Sequence, residues 1–95
     1  MNAKENTPKK YKGKEYTTYE ATQRQRKLET LMRKQRREIK LLKEGGADEK
    51  DIINAQAKYR ATMAEYVDFS KKMGLPQEME RVYADGLGRV NPGEN

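Results

Sequence analysis

Two adjacent glycines in the middle of the chain, Gly45 and Gly46, constrain the fold more than any other feature. From Thr17 to Glu44 the sequence contains no glycine or proline, and most positions hold good helix formers such as Gln, Arg, Lys and Glu. A second stretch without either residue runs from Asp48 to Met73. Because glycine adopts the left-handed conformation that ends helices, the pattern predicts two long helices joined by a short turn.

The predicted helices cover residues 17–44, 48–73 and 76–83. Thr17 and Glu20 fit a capping box at the first helix start, and Asp48 fits the N-cap of the second. Gly74 supplies a stop for the second helix, and Pro76 suits the first position of a short third one. The structural turns are therefore placed at Gly45, Gly46, Gly74 and Pro76.

Apolar side chains recur at helical spacing in both long stretches, which places one apolar stripe on each helix. The connection between the helices is only three residues long, so they must lie antiparallel. The predicted fold is all-α, an antiparallel two-helix hairpin like a short coiled coil, with a third C-terminal helix closing one end. Its predicted core consists of Leu28, Leu31, Met32, Ile39, Leu42, Ile52, Tyr59, Met63, Tyr66, Phe69 and Met73.

The helical part is expected to form one domain, over residues 17–90. Residues 1–16 are rich in Lys and lack an apolar period, which predicts a flexible basic arm, and residues 91–95 are predicted to be a disordered tail. Hydrophobic residues make up only 34% of the chain, so the core is thin. We therefore expect the hairpin to complete its burial against a partner, either a second copy or the rest of a longer protein.

The residue inventory excludes most familiar active sites. The chain has no cysteine and no histidine, which excludes disulfides, zinc sites of the usual Cys/His type and histidine-based triads. Asp48, Glu49 and Asp51 lie together but suit the start of a helix, and no apolar run is long enough to span a membrane. The prediction is a protein that is not an enzyme, binds no metal or cofactor and has no membrane partner.

The formal net charge of +6 is concentrated in the first half of the chain. Residues 1–16 carry +3 and residues 17–44 carry +5, whereas residues 48–73 are neutral and residues 74–95 carry −2. Three interpretations of the basic first helix stay open: a solvated face braced by its own glutamates, a surface for an acidic protein, or a surface for nucleic acid. The candidate surface consists of Arg24, Arg26, Lys27, Arg33, Lys34, Arg36, Arg37 and Lys40.

Several short segments resemble the C-terminal region of bacteriophage minor capsid proteins, in the minor capsid protein 2 group of head-morphogenesis proteins. They are the opening Y-E-x-T-Q-x-Q-R from Tyr19, the central Q-A-K-Y-R from Gln56, the run F-S-x-x-M-G-L-P from Phe69, and D-G-L-G-R-V from Asp85. The resemblance covers residues 16–90. Proteins of this group are several times longer and carry a His-rich segment upstream, so any activity of that segment is not transferred to this histidine-free chain.

The resemblance implies a non-enzymatic structural module of a phage or prophage minor capsid protein, acting through protein contacts in head or portal assembly. Its expected partners are other head or portal proteins, or the rest of a longer minor capsid protein. Its expected location is the virion, and the host bacterial cytoplasm during assembly. The alternative, from the charge pattern, is a small basic helical protein that binds nucleic acid through the face from Arg24 to Lys40.

Overall fold

Two long helices form the body of the protein in the computed structural model, which describes residues 8–88. Helix α1 spans Thr18–Glu44, helix α2 spans Glu49–Met73, and a five-residue helix α3 spans Met79–Tyr83. Two short strands, β1 at Lys9–Tyr11 and β2 at Lys14–Tyr16, precede α1. The two long helices lie within one residue of the ranges expected from the sequence.

The helices α1 and α2 pack against each other in opposite directions. In α1, Gln25 donates a hydrogen bond to Ser70 of α2, and Glu29 accepts one from Tyr66. A step of four residues toward the C-terminus of α1 therefore corresponds to a step of four residues toward the N-terminus of α2, as expected for antiparallel helices. The all-α class and the antiparallel hairpin with a short third helix are confirmed.

Local signals set both ends of α1 and the end of α2. The Thr17 hydroxyl accepts from the Glu20 amide at 3.1 Å, and the Glu20 carboxylate accepts from the Thr17 amide at 2.9 Å, which completes the capping box. Gly46 and Gly74 both have φ of +69°, the left-handed conformation expected of them. Asp48 immediately precedes α2, but its side chain makes no capping hydrogen bond.

The N-terminal segment departs from its prediction as a flexible arm. Residues 9–16 form an antiparallel β-hairpin in which Tyr11 pairs with Lys14. The turn consists of Lys12 and Gly13, both with positive φ, as a two-residue hairpin turn that follows the twist of the strands requires. Residues 1–7 of the predicted arm and the whole predicted tail, residues 91–95, lie outside the described residues.

Aromatic packing holds this β-hairpin against the helices. The rings of Tyr11 and Tyr16 each meet Phe69 of α2 edge to face, with centroids 5.1 Å apart. The Tyr11 hydroxyl donates to Asp68 at 3.0 Å, and Lys9 Nζ donates to the Met73 carbonyl at 3.2 Å. The local sequence does not indicate this packing, because the residues that bury Tyr11 and Tyr16 lie more than 50 positions away along the chain.

The third helix begins three residues later than predicted. The Pro76 carbonyl accepts a hydrogen bond from Gln25, and the Glu78 amide donates to the Tyr66 hydroxyl. These contacts hold residues 76–78 across the helix pair in a non-helical conformation, so α3 starts only at Met79. Val82 of α3 is fully buried and extends the core at this side.

The core follows the two predicted stripes, with one exception. Leu31 is a predicted core residue but is 42% exposed, because it lies one position before the fully buried Met32 and therefore points about 100° away from it around the helix. Leu42, Ile52 and Met63 are half-buried. The buried apolar side chains are Tyr11, Ala21, Leu28, Met32, Ile39, Ala55, Tyr59, Tyr66, Phe69, Met73 and Val82.

Candidate interaction surface

The eight basic residues proposed as one surface on α1 do not share one environment. Arg26, Lys27, Lys34 and Arg37 are exposed. The other four contact acidic groups or backbone carbonyls elsewhere in the protein; they are Arg24, Arg33, Arg36 and Lys40. A continuous cationic face from Arg24 to Lys40 is therefore not present in the folded chain.

Three of these four residues make contacts that fix their side chains near the surface. Arg24 forms an ion pair with Glu65 of α2. Arg33 donates to the carbonyl of Arg81 at 2.9 Å, and Lys40 lies 3.2 Å from the Glu44 carboxylate one turn along α1. The two ion pairs, of Arg24 and Lys40, contribute little stability because they are partly exposed, but they reduce the charge available to a ligand.

Arg36 is the exception that the sequence did not indicate, because only 2% of this side chain is exposed. Its Nε donates to Asp85 at 2.9 Å, and its Nη2 donates to the Gly88 carbonyl at 2.5 Å. The ring of Tyr83 covers the guanidinium, with Cζ 4.8 Å from the ring centroid. Arg36 therefore anchors the segment after α3 and does not belong to a partner surface.

Asp85 is held in its charged form by this arrangement. Burial acts to raise its pKa, but the hydrogen bonds from Arg36 and from the Leu87 amide outweigh burial and lower the pKa. A buried ion pair of this kind requires both partners, since either charge left alone would be desolvated without compensation. The pair thus holds the segment that follows α3 against α1.

A second polar cluster joins α1, α2 and α3 around Glu29, whose side chain is only 1% exposed. Arg81 of α3 donates to both of its carboxylate oxygens, at 2.8 and 2.6 Å, and the Tyr66 hydroxyl donates at 2.7 Å. Arg81 also pairs with Glu78. This forked geometry, in which one guanidinium spans both carboxylate oxygens, fixes the position of α3.

The contacts in this cluster shift the pKa values of its ionisable groups. Burial acts to raise the pKa of Glu29, but the hydrogen bonds from Arg81 and Tyr66 lower it overall. Burial and the hydrogen bond to Glu29 raise the pKa of Tyr66 to about 12, so its hydroxyl remains a donor. The contact with Glu29 raises the pKa of Arg81. All three groups serve to hold the fold together.

An apolar surface remains exposed on the half of α1 that the β-hairpin does not cover. Leu41 is 60% exposed and Leu31 is 42% exposed. Leu41 and Leu42 line a shallow concavity of about 400 Å³ together with Lys34, Arg37 and Glu38. Positions 31, 34, 38, 41 and 42 fall on one helical face. We call this set, Leu31, Lys34, Arg37, Glu38, Leu41 and Leu42, the leucine surface.

Neither a metal centre nor a membrane helix is found in the part of the chain that the structure describes. No three His, Cys, Asp or Glu side chains within residues 8–88 converge on a point that could hold a metal ion. No helix in the same range is both long enough and apolar enough to cross a membrane.

Comparisons with protein-family models, with curated proteins and with solved structures found no match to this chain. The resemblance to phage minor capsid proteins thus stays a prediction. Within the described residues, several of the segments that carry it occupy structurally demanding positions. Tyr59 and Phe69 lie in the core, Gly74 is left-handed, and Asp85 forms the buried ion pair with Arg36.

Sequence reasoning missed the acidic partners of the basic helix. Nothing in the helical pattern indicates that Glu29 or Asp85 is the buried partner of an arginine. The one signal available was the opposite sign of the charge in residues 17–44 and 74–95, which is compatible with contacts between them but names no pair. The leucine surface could have been found from Leu41, an apolar residue that lies off the predicted stripe.

Proposed function

We propose that this chain is a non-enzymatic docking module of a phage or prophage minor capsid protein, acting through protein contacts in head or portal assembly. The single observation that supports docking is the leucine surface. Leu31 and Leu41 are exposed on a helix that is braced on its opposite face, so they are presented rigidly. The phage setting rests on the resemblance over residues 16–90.

The partner we propose is an amphipathic helix with acidic residues beside its apolar stripe. Leu31 and Leu41 are ten residues apart, which corresponds to about 15 Å along α1 and suits a helix laid into the groove. Lys34 and Arg37 flank the leucines, with Glu38 as the acidic member of the set. A second copy would bring these cations against one another, so charge favours an acidic partner.

The alternative, nucleic-acid binding by the face from Arg24 to Lys40, is less well supported by this geometry. Arg36 is buried, and Arg24, Arg33 and Lys40 are engaged with other groups. A variant that reverses the charge of Arg36 would lose folding before it tested binding. The exposed members Arg26, Lys27, Lys34 and Arg37 are the ones to substitute in any test of this alternative.

The docking proposal can be tested by incorporation into assembled heads. The chain would be co-expressed with the portal and capsid proteins encoded by neighbouring reading frames, and purified particles would be analysed by mass spectrometry. We expect the wild-type chain to be incorporated and the double variant Leu31→Asp/Leu41→Asp to be lost at least tenfold. Ile53→Asp, at an exposed apolar residue of α2, is the control and should be retained.

Two results would overturn the proposal. The first is the absence of the wild-type chain from particles that assemble normally. The second is equal incorporation of the wild-type chain and the double leucine variant, provided that circular dichroism shows both to be folded.

A further inference from the structure

Folding concentrates the positive charge at one end of the protein. The β-hairpin, the first turns of α1 and the last turns of α2 meet there, through Tyr11 with Asp68 and Arg24 with Glu65. Residues 8–27 and 65–74 together contain nine Lys or Arg and four Asp or Glu, a net charge of +5. The rest of the described chain, residues 28–64 and 75–88, contains ten basic and nine acidic residues, a net charge of +1.

The cations at this end are presented at the surface. Lys10, Lys12 and Lys14 are exposed on the β-hairpin, Lys27 on α1 and Lys71 on α2. The β-hairpin is fixed to the helices by Tyr11 and Tyr16, so its lysines are held on a folded scaffold. A patch of this sign attracts a polyanion and gains affinity by releasing the counterions of that polyanion.

An exposed aromatic ring lies within this cationic end. Tyr19, in the first turn of α1, is 73% exposed, the highest value among the exposed large apolar side chains in residues 8–88. It borders a depression of about 290 Å³ that Lys14, Gln23 and Lys27 also line, with Glu20 as its one acidic residue. Lys14 itself lies over the ring of Tyr16, with Nζ 5.1 Å from the centroid. An accessible ring with Lys14 and Lys27 beside it is a combination used to bind unpaired bases.

We propose that this end, which we call the hairpin-end patch, binds single-stranded nucleic acid. The patch is defined by Lys14, Tyr19, Gln23 and Lys27, which line the same depression. Its lysines contact phosphates, and the Tyr19 ring stacks on a base. A duplex hides the faces of its bases, so a ring exposed in this way favours a single strand. The proposal does not rest on the docking function, since the leucine surface lies on the other half of α1.

The first experiment uses the stacking residue as its own reporter. The chain contains no tryptophan, so Tyr19→Trp would introduce the sole indole at the proposed stacking position. Titration with a 20-nucleotide oligo-dT in 50 mM NaCl should quench the fluorescence of this indole, and added NaCl should reverse the quenching. Absence of both quenching and any change in oligonucleotide anisotropy at 100 µM protein would overturn the proposal.

The second experiment compares an exposed lysine of the patch with an exposed lysine elsewhere on the protein. Lys27 lies in the hairpin-end patch, whereas Lys58 of α2 lies outside both this patch and the leucine surface. Loss of one phosphate contact from a single strand lowers affinity about fivefold at 0.1 M salt. Lys27→Glu should therefore weaken oligo-dT binding at least about fivefold, and Lys58→Glu less than twofold. Equal losses of affinity in the two variants would show that binding depends only on net charge, and would contradict the proposed site.

The third experiment separates nucleic acid from an acidic protein as the ligand. Tyr19→Ala should weaken oligo-dT binding about fivefold to a hundredfold, because stacking of each base on an aromatic ring contributes on that scale. Binding of a 20-base-pair duplex to the wild-type chain should be weaker and insensitive to this substitution. If Tyr19→Ala binds oligo-dT normally and polyglutamate competes as well as oligo-dT does, the patch binds acidic protein and the proposal is wrong.

Discussion

Removal of the Asp85 carboxylate tests whether the buried ion pair with Arg36 holds the C-terminal segment in place. The side chains of Arg36 and Asp85 are 2% and 9% exposed, so Asp85→Ala leaves a cation that water cannot readily reach. Breaking a buried pair from one side typically costs about 3 to 5 kcal/mol. The variant should therefore be among the most destabilising single substitutions in this protein.

Two contacts to Arg36 remain in this variant and reduce the expected loss of stability. Its Nη2 still donates to the Gly88 carbonyl, and the Tyr83 ring still covers the guanidinium. These interactions keep part of the cation satisfied, so we expect Asp85→Ala to lower the free energy of unfolding by about 2 to 4 kcal/mol. For a domain of this size, that change corresponds to a fall in Tm of about 8 to 30 °C.

Urea unfolding followed by circular dichroism at 222 nm measures this change, because most of the described fold is helical. Glu65→Ala is the matched control, since it removes the partner of a partly exposed arginine, Arg24. The control should cost about 1 kcal/mol or less. The double variant Arg36→Met/Asp85→Ala should be more stable than Asp85→Ala alone, because it no longer leaves an uncompensated buried cation.

Two outcomes would refute this reasoning. If Asp85→Ala changes the free energy of unfolding by less than about 0.5 kcal/mol, the pair is not buried in solution as the structure places it. If the effects of Arg36→Met and Asp85→Ala simply add, the two residues do not interact energetically.

Three further predictions concern packing, a helix end and acid stability. Tyr59→Ala should lower the free energy of unfolding by about 3 kcal/mol or more by opening a cavity, whereas Leu31→Ala should cost about 1 kcal/mol or less; equal values in urea unfolding would contradict the core assignment. Gly74→Val should cost about 1 to 3 kcal/mol because φ is +69° there, and Gly74→Asn should cost less; identical Tm values for Val and wild type would contradict this. The pKa values of Glu29 and Asp85 are both lowered, so their carboxylates stabilise the fold above the unfolded-state pKa of about 4 and lose this effect as pH falls through the folded-state values. Tm should therefore be level from pH 7 to 5 and fall below about pH 4, less steeply in Glu29→Gln; a Tm that stays level down to pH 2 would refute this.

The long helices could be predicted because their determinants are local. The capping box of Thr17 and Glu20 and the left-handed Gly74 act within one turn of the helix that they limit. The β-hairpin could not be predicted in the same way. Its Lys12-Gly13 turn is a weaker signal than Asn-Gly, and its three-residue strands depend on burial of Tyr11 and Tyr16 against Phe69.

The positions of the charges show why a candidate site on a basic helix is difficult to define from the sequence. Arg36 and Arg37 are adjacent and chemically identical, yet Arg36 is buried against Asp85 and Arg37 is exposed. Helical periodicity assigns each residue to a face, but it does not state which face another segment will cover. That information depends on residues 76–88, whose conformation is set by contacts with Gln25, Glu29 and Tyr66.

Contacts between distant segments also determine where the net charge of +6 lies on the folded protein. In the sequence, residues 17–44 carry the largest excess of positive charge, which pointed to α1 as the cationic surface. In the fold, acidic groups of α2 and the C-terminal segment neutralise Arg24 and Arg36, while Lys71 and Lys72 of α2 join the lysines of the β-hairpin at one end. The excess charge therefore lies across three elements, and the end of α2 is distant in sequence from the other two. A binding experiment guided by sequence alone would substitute arginines that stabilise the fold, whereas one guided by the structure substitutes Lys27 and uses Lys58 as the control.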